Sequence, residues 1–208
     1  IFFTLDGWWL NFIAVLFIVW FTNLYNFLDG IDGYASIQSV MTGLAGFILL
    51  QNEIALIICV VSFGFMFFNF PLVLGKFYIK RASIFMGDVG SSTLGFLFAI
   101  LSLSNISNGS IYIWIIMLSI FWFDSLITIL RRLKNKENIF KAHKKHAYQR
   151  LIQLGFTHFQ VSSLATVLNV IFLLLLYLFS VEYYGYLFIF VLFLLYIILK
   201  LIDFKKSF

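Results

Sequence analysis

Residues 161–202 read VSSLATVLNVIFLLLLYLFSVEYYGYLFIFVLFLLYIILKLI, a stretch in which Glu182 and Lys200 are the only charged side chains. A transmembrane helix needs about 20 predominantly apolar residues to cross a hydrocarbon core about 30 Å thick. The two halves of the stretch, roughly 161–180 and 184–202, each approach that length. They predict two membrane-spanning helices.

Five further apolar runs precede this stretch and cover roughly residues 8–26, 35–51, 54–74, 90–107 and 111–130. Hydrophobic residues make up 62% of the 208 positions and charged residues only 11%, whereas a soluble domain carries about 25% charged residues. This composition excludes a water-soluble domain. The runs also lack the alternation of a membrane β-barrel. We therefore predict an all-α, polytopic bundle of about seven spans, forming one integral membrane domain over residues 1–208.

The charge distribution predicts the orientation of the bundle. If the chain starts outside, seven crossings place all 14 Lys and Arg residues on one side and none on the other. Basic loops of membrane proteins face the cytosol, and this reading is favoured over nucleic-acid binding, which basic runs can also indicate. The predicted inner-face segments are loops at about 27–34, 70–89 and 131–160 and a tail at 203–208.

The first polar motif is NLYNFLDGIDG at 23–33, which closes the first predicted span. Asn23, Asn26, Asp29 and Asp32 recur every three residues, so successive side chains are neighbours on a helix surface. No basic residue lies nearby in sequence to neutralise the two acids. Unpaired acids at membrane depth usually face a cavity, an ion or a partner. The alternative is a helix end that frays into a polar turn.

The second motif, IFMGDVGSS at 84–92, leads into the fourth predicted span. Gly87 and Gly90 flank Asp88 at the predicted helix start, where backbone amides favour a phosphate or another anion. Asp88 could hold a divalent metal beside it, because Mg²⁺ takes carboxylate and substrate phosphate oxygens together. The alternative is an ordinary helix start that uses Asp88 or a serine as its N-cap.

The third motif is AHKKHAYQRL at 142–151, in which His143 and His146 are three residues apart and share a helical face. The cationic side chains around them are Lys144, Lys145 and Arg150. These cations repel a metal ion and attract phosphate, so we expect the loop to bind an anionic substrate. The alternative is a basic loop that only orients the protein and touches lipid headgroups.

Two polar residues outside the motifs are expected to be structural. Asp124 lies in the inner half of the fifth predicted span and is expected to pair with a polar or basic side chain. His158 begins the approach to the sixth span, where helix capping or an interface contact is the simplest prediction.

The three motifs, in this order, resemble those of the polyprenyl-phosphate N-acetylhexosamine-1-phosphate transferases, grouped as glycosyltransferase family 4. That family includes the phospho-N-acetylmuramoyl-pentapeptide transferase of peptidoglycan synthesis. The His-x-x-His form followed by AYQRL is more similar to the branch that initiates O-antigen synthesis. The resemblance covers nearly the whole chain.

The resemblance implies an enzyme of the bacterial inner membrane with its active site facing the cytosol. The implied reaction is transfer of a HexNAc-1-phosphate from a UDP-N-acetylhexosamine to undecaprenyl phosphate. Its products are undecaprenyl-diphosphate-HexNAc and UMP, and it initiates cell-envelope polysaccharide synthesis. The implied cofactor is Mg²⁺, with Mn²⁺ as a substitute. The resemblance also implies contact with membrane lipid and no binding of nucleic acid. A homodimer is compatible with the sequence.

The same resemblance assigns roles to residues of the three motifs. The implied catalytic residues are Asp29, Asp32, Asp88, His143 and His146, with Asp88 and Asp29 as metal ligands. The expected substrate-binding residues are Asn23, Asn26, Phe85, Lys144, Lys145 and Arg150. The ring of Phe85 is implied to stack on uracil, and the two histidines are implied to contact the phosphates of the nucleotide sugar.

Two features depart from the family pattern. Family members carry an adjacent acidic pair in an earlier loop, as well as additional spans, whereas this chain has no Asp-Asp pair. We therefore expect an N-terminally truncated polypeptide that is inactive, or a fragment of an active enzyme. In addition, Asn69 and Asp88 are 19 residues apart, farther than in the family. Residues 72–81 are predicted to be an insertion that alters the local loop and obscures the role of Asn69.

Two other classes of protein fit part of the pattern. A transporter or flippase for an anionic lipid or nucleotide sugar would also place acids and glycine-broken helices in the membrane. Transporter sites lie near the bilayer midplane, however, whereas these motifs gather at one face. A non-catalytic assembly subunit is favoured only by the missing acidic pair.

Overall fold

The computed structural model describes residues 7–74, 77–80, 82–104, 106, 109–139 and 141–208. Its α-helices are α1 (Trp8–Leu28), α2 (Tyr34–Leu50), α3 (Glu53–Asn69), α4 (Gly87–Ser104), α5 (Ile111–Met117), α6 (Ser119–Lys134), α7 (Ala147–Gln153), α8 (His158–Leu178) and α9 (Tyr184–Lys205). A short 3₁₀ turn, Val181–Tyr183, leads into α9. Two strands, β1 (Leu72–Leu74) and β2 (Phe77–Lys80), lie between α3 and α4.

The long helices confirm the prediction of a helical membrane bundle. Within the described residues, α1, α4, α8 and α9 are long and apolar enough to cross a membrane, and the α5–α6 pair would make a fifth span. The helices α2 and α3 are apolar but have 17 residues each. Each of the seven predicted spans coincides with one of these helices or with the α5–α6 pair. The chain is therefore a multi-pass membrane protein.

A 68° bend separates α5 from α6, where the sequence predicted one straight span. Backbone groups freed by such a bend need new partners inside a membrane. The side-chain amide of Gln38 donates to the carbonyl of Met117 at 2.7 Å, and the indole N–H of Trp122 donates to the carbonyl of Ile115 at 2.8 Å. Asn169 of α8 donates in turn to Gln38 Oε1 at 2.9 Å. The bend is thus stabilised by buried polar side chains from three helices.

Close packing of α1 against α4 depends on Gly95. A Cβ atom at this position would lie 2.8 Å from the carbonyl oxygen of Phe21 and 2.8 Å from the Cβ of Tyr25. Small residues at such crossings let helix backbones approach each other. The close crossing brings the last turn of α1 beside the first turn of α4, where the first two polar motifs lie.

The predicted insertion is a β-hairpin that leaves the bundle and returns to the same place. Its antiparallel register pairs Leu72 with Lys80, Val73 with Tyr78 and Leu74 with Phe77. At its base, the backbone N–H of Ser83 donates to the carbonyl of Phe68 at 2.8 Å, and Asn69 Nδ2 donates to the carbonyl of Ile84 at 2.9 Å. Asn69 therefore closes the base of the hairpin, and the expected effect of the insertion on the local loop stays a prediction.

Candidate functional site

Asn26 joins the first two motifs directly. Its Nδ2 donates to Asp88 Oδ1 at 3.1 Å and to Ser91 Oγ at 3.0 Å. These bonds link the last turn of α1 to the first turn of α4 and orient the Asp88 carboxylate. Asn23, one turn earlier, is exposed, and its Nδ2 donates within its own helix to the carbonyl of Val19 at 2.9 Å. Asn26 thus supports an acid of the site, and substrate contact by Asn23 stays a prediction.

Asp29 lies just beyond the end of α1, in the turn 29–33 that connects α1 to α2. Burial raises the pKa of its carboxyl to about 7, a bond from the Gly87 backbone N–H opposes that rise, and the negative charges of Asp88 and Asp32 add to it. The three acids are therefore within electrostatic reach of one another. The turn concentrates negative charge that a bound cation would neutralise.

Two glycines allow the turn to pack tightly. Gly33 has φ of 80°, which favours glycine, and a Cβ atom there would lie 2.5 Å from the ring of Phe70. A Cβ atom on Gly30 would lie 2.1 Å from the hydroxyl oxygen of Tyr148. Asn69 Oδ1 accepts the backbone N–H of Gly33 at 2.9 Å. The end of α3 and the start of α7 therefore both contact the acidic turn.

Asp32 contacts α8, which the sequence analysis had not connected to the site. Its Oδ2 lies 3.0 Å from His158 Nδ1, and its carbonyl accepts the hydroxyl of Ser162 at 3.0 Å. Asp32 Oδ1 is buried and has no hydrogen-bond partner in the part of the chain that the structure describes. Of the two roles predicted for His158, helix capping or an interface contact, the structure shows the interface contact, because Thr157 and Gln160 form the capping box of α8.

The third motif reaches the acidic turn through α7. The hydroxyl of Tyr148 donates to the carbonyl of Phe27 at 3.1 Å, and the ring of His146 stacks on that of Tyr148 with centroids 6.0 Å apart. The rings of His143 and His146 follow with centroids 5.0 Å apart. A row of three rings therefore leads from the acidic turn to the histidine loop.

The two histidines have different surroundings. His146 is only 4% exposed, with Nδ1 3.6 Å from Asp124 Oδ2. His143 is half-buried, and burial lowers the pKa of its imidazole to about 4, with further lowering by the positive charges of Arg132 and Lys145. His143 is consequently neutral near pH 7 and can donate one N–H.

Asp124 is a buried acid that caps α7 from a different helix. Both of its carboxylate oxygens lie 3.0 Å from the backbone nitrogen of Ala147, which donates to them, and the hydroxyl of Thr128 donates to Oδ1 at 3.3 Å. Thr128 is the expected polar partner, whereas the backbone N–H of Ala147, with His146 beside it, is a partner that the sequence did not predict. Asp124 is therefore structural in the sense predicted, but it holds the segment that carries the histidines.

Arg150, which is predicted to bind substrate, contacts the C-terminal helix α9 in the structure. Its side chain is buried, its guanidinium donates to Asp203 Oδ1 at 2.7 Å and also to the carbonyl of Lys206, and it ties α7 to α9. Lys145 likewise forms an ion pair with Glu137. Lys144 is exposed, and its predicted binding of substrate stays a prediction. Arg150 and Lys145 thus have partners within the described conformation, and their binding of substrate stays a prediction.

Arg132 is a buried residue of this region that the sequence analysis missed. Its guanidinium donates to the carbonyl of Ile139 at 3.1 Å, to that of Lys141 at 3.0 Å and to Glu137 Oε2 at 3.3 Å. It thereby folds the start of the basic loop against α6. The four cations within residues 131–136 give no sign in the sequence of which one is buried.

Phe85 lies on the approach to α4, three residues before Asp88. Its side chain is 79% exposed. An exposed aromatic ring beside the acids is free to stack on a planar ligand, so the predicted contact with a base stays a prediction.

The donor set suits a hard cation shared with a ligand. Among the described residues, no group of three or more His, Cys, Asp or Glu side chains is arranged to hold a metal ion. Mg²⁺ usually takes only one or two protein carboxylates and completes its coordination with substrate phosphate and water. Asp29 and Asp88, with the raised Asp29 pKa and the unpartnered Asp32 oxygen, fit that mode of binding.

His143 gives a prediction about stability. Its folded-state pKa of about 4 lies below the ordinary value of 6.5, so the unfolded chain binds more protons between these values and stability falls as pH is lowered through that window. The raised pKa of Asp29 acts in the opposite direction. We therefore expect the melting temperature of wild type to fall relative to that of His143→Gln as the pH is lowered from 6.5 to 4. If the melting temperatures of the two proteins in detergent change in parallel with pH, the lowered pKa of His143 is contradicted.

These features define a class: a multi-pass helical membrane protein with an acidic site beside a histidine-containing basic loop. The sequence profile described as "Glycosyl transferase family 4" matches residues 1–106. The chain belongs to this family, and the predicted family is confirmed.

Curated relatives agree with that assignment. The chain is 36% identical over 163 residues to a probable undecaprenyl-phosphate N-acetylglucosaminyl 1-phosphate transferase of Bacillus subtilis (strain 168), covering 73% of this chain and 43% of the relative. It is 28% identical to an undecaprenyl-phosphate alpha-N-acetylglucosaminyl 1-phosphate transferase of Yersinia pestis, covering 75% and 45%. A phospho-N-acetylmuramoyl-pentapeptide-transferase of Streptococcus pneumoniae is 35% identical over 105 residues, covering 47% and 29%. The chain thus spans less than half the length of these relatives.

Proposed function

We propose that this protein transfers a HexNAc-1-phosphate from a UDP-N-acetylhexosamine to undecaprenyl phosphate. The observation that carries the proposal is the grouping of Asp29, Asp32 and Asp88 at one end of the bundle. They lie next to α7, the helix that contains the second half of the histidine motif. The printed names of the Bacillus and Yersinia relatives support the reaction type and the lipid acceptor.

The reaction needs alignment and charge neutralisation more than covalent chemistry from the protein. An oxygen of the acceptor phosphate forms a bond to the phosphorus that bears the sugar. The bond from that phosphorus to the bridging oxygen breaks, and its electron pair leaves with UMP. Asp29 and Asp88 would hold Mg²⁺ or Mn²⁺, which supplies neutralisation of the phosphate oxygens. Asn26 and the Gly87 N–H keep these two carboxylates oriented.

The histidine loop would bind the diphosphate of the donor from the side opposite the metal ion. His143 is half-buried and neutral near pH 7, so its N–H can donate to a phosphate oxygen without being held by an ion pair. His146 is buried against Asp124 and Tyr148, so we assign it support of His143. The exposed Lys144 adds positive charge beside the donor.

The location of the site suits two substrates of different solubility. A polyprenyl acceptor lies in the bilayer with its phosphate at headgroup level, whereas a nucleotide sugar arrives from water. The predicted topology puts all 14 basic residues on the side where the motifs gather, which favours the cytosolic side of a bacterial inner membrane.

The proposal is tested with the protein at its full natural length, purified in detergent. UMP release is measured with UDP-N-acetylglucosamine or another UDP-N-acetylhexosamine, undecaprenyl phosphate and Mg²⁺. We expect UMP release that requires the acceptor and stops when EDTA is added. Nucleotide-sugar uptake into proteoliposomes without UMP release would overturn the proposal and favour a transporter.

A further inference from the structure

His158 contacts the acidic turn from α8, across 126 residues of sequence. Its Nδ1 lies 3.0 Å from Asp32 Oδ2 and 3.3 Å from the Asp32 backbone nitrogen. A ring nitrogen that carries a hydrogen cannot also accept one. Nδ1 therefore cannot both donate to the carboxylate and accept from the backbone N–H. The carboxylate contact is the shorter of the two, and an ionised carboxylate oxygen only accepts. We therefore assign the hydrogen to Nδ1, which donates to Asp32 Oδ2.

A second contact from the same helix fixes the backbone of Asp32. Ser162 lies one turn after His158 and is buried, and its hydroxyl donates to the Asp32 carbonyl at 3.0 Å. From the opposite side, Asn69 accepts the N–H of Gly33. The peptide group between Asp32 and Gly33 is thus held from both sides, at its carbonyl by α8 and at its N–H by α3. Among the described residues, His158 is the contact that holds the Asp32 side chain.

The Asp32 carboxylate has one oxygen engaged and one free. Oδ2 is bonded to His158, whereas Oδ1 is buried and without a partner in the described part of the chain. A buried, unpaired carboxylate oxygen is costly, so in a family of enzymes it marks a place where a ligand group completes the bonding. Fixing one oxygen also fixes the direction of the other, and such preorganisation is what a binding group needs.

We propose that His158 is a positioning residue of the active site: its Nδ1–H holds Asp32 Oδ2, so that Oδ1 is presented to the substrate. This inference rests on the proposed transferase function and on the predicted role of Asp32. It adds to the site a residue outside the three motifs, and nothing in the sequence connects this residue with Asp32.

The test uses three substitutions that differ in where they place a donor. Asparagine at 158 carries Nδ2 at the same number of bonds from the backbone as His Nδ1, whereas glutamine carries its amide nitrogen one bond farther, at the position of Nε2. We expect His158→Ala to lower kcat/KM for UMP release by about 10- to 100-fold, the usual cost of removing a group that orients a site residue. His158→Asn should recover most of that loss, and His158→Gln should not.

Two measurements separate positioning from general stability. In an Asp32→Asn background, His158→Ala should cause little further loss, because residues that act through one another are not additive. Thr166→Ala is the matched control on α8, since its hydroxyl bonds only within the helix, to the Ser162 carbonyl at 2.8 Å. It should retain wild-type kcat/KM.

The outcomes distinguish this inference from the proposed function. An inactive wild type means that the transferase proposal has failed. An active wild type matched by His158→Ala would overturn the positioning role, and so would equal activity of the Asn and Gln variants or full additivity with Asp32→Asn. Melting temperatures identify any variant that is merely unfolded, and His158→Asn, which keeps the donor, then decides the matter against His158→Gln.

Discussion

Replacing Asp88 with asparagine is expected to reduce UMP release by about 10²- to 10³-fold, the usual effect of removing one electrostatic group from a catalytic site, while the protein stays folded. The carboxylate is exposed at the start of α4 and accepts one hydrogen bond in the described structure, from Asn26. An asparagine oxygen can accept that same bond, so the α1–α4 contact is preserved. What is lost is the negative charge proposed to hold the cation.

The measurement is initial UMP release at saturating donor and acceptor, titrated with Mg²⁺, together with a melting curve in the same detergent. Glu182→Gln provides the control, because it removes an acid from the turn before α9, at the opposite end of the bundle. We expect it to be as active as wild type. Substantial turnover by Asp88→Asn at ordinary Mg²⁺ would remove Asp88 from the metal role.

The location of the acidic site could be predicted from sequence because it depends on two additive signals. Hydropathy gives the spans, and the one-sided distribution of Lys and Arg gives the side of the membrane on which each span ends. Since Asp29 closes one span and Asp88 opens another, the same side follows for both. Their proximity in the structure is the consequence of that topology together with the close α1–α4 crossing at Gly95.

The role of Arg150 could not be predicted, because a cation in a basic loop has the same local sequence whether it faces substrate or an acid. Its partner Asp203 is 53 residues away on α9. The 68° bend between α5 and α6 was missed for a similar reason. Residues 115–122, IIMLSIFW, contain neither glycine nor proline, and the groups that stabilise the bend include Gln38 from a distant helix.

The hairpin shows a third limit of prediction from the sequence. The spacing between Asn69 and Asp88 suggested an altered loop, because spacing along the chain says nothing about where an insertion returns. The bonds from Ser83 to Phe68 and from Asn69 to Ile84 close its base. The segments on either side of the hairpin therefore meet at its base.

Removing the carboxylate of Asp124 is the second change with a large expected effect. The side chain is 6% exposed and accepts the backbone N–H of Ala147 at the start of α7, with His146 beside it. Asp124→Ala leaves this N–H without its acceptor, and an unsatisfied buried donor costs about 1–3 kcal/mol. We expect a lower melting temperature and a higher KM for the donor, since α7 and the two histidines are no longer held against the acidic turn.

Limited proteolysis locates the effect. The basic loop exposes Lys136, Lys141 and Lys144, so release of α7 should make trypsin cleavage there faster in Asp124→Ala than in wild type. Asp124→Asn is the matched variant, because its amide oxygen can still accept from Ala147 while the charge beside His146 is lost. If the cap is what matters, Asp124→Asn resists trypsin like wild type; if the charge is what matters, both variants are cleaved quickly. Wild-type resistance in both would show that α7 is held by other contacts, with the Arg150–Asp203 pair as the next to test.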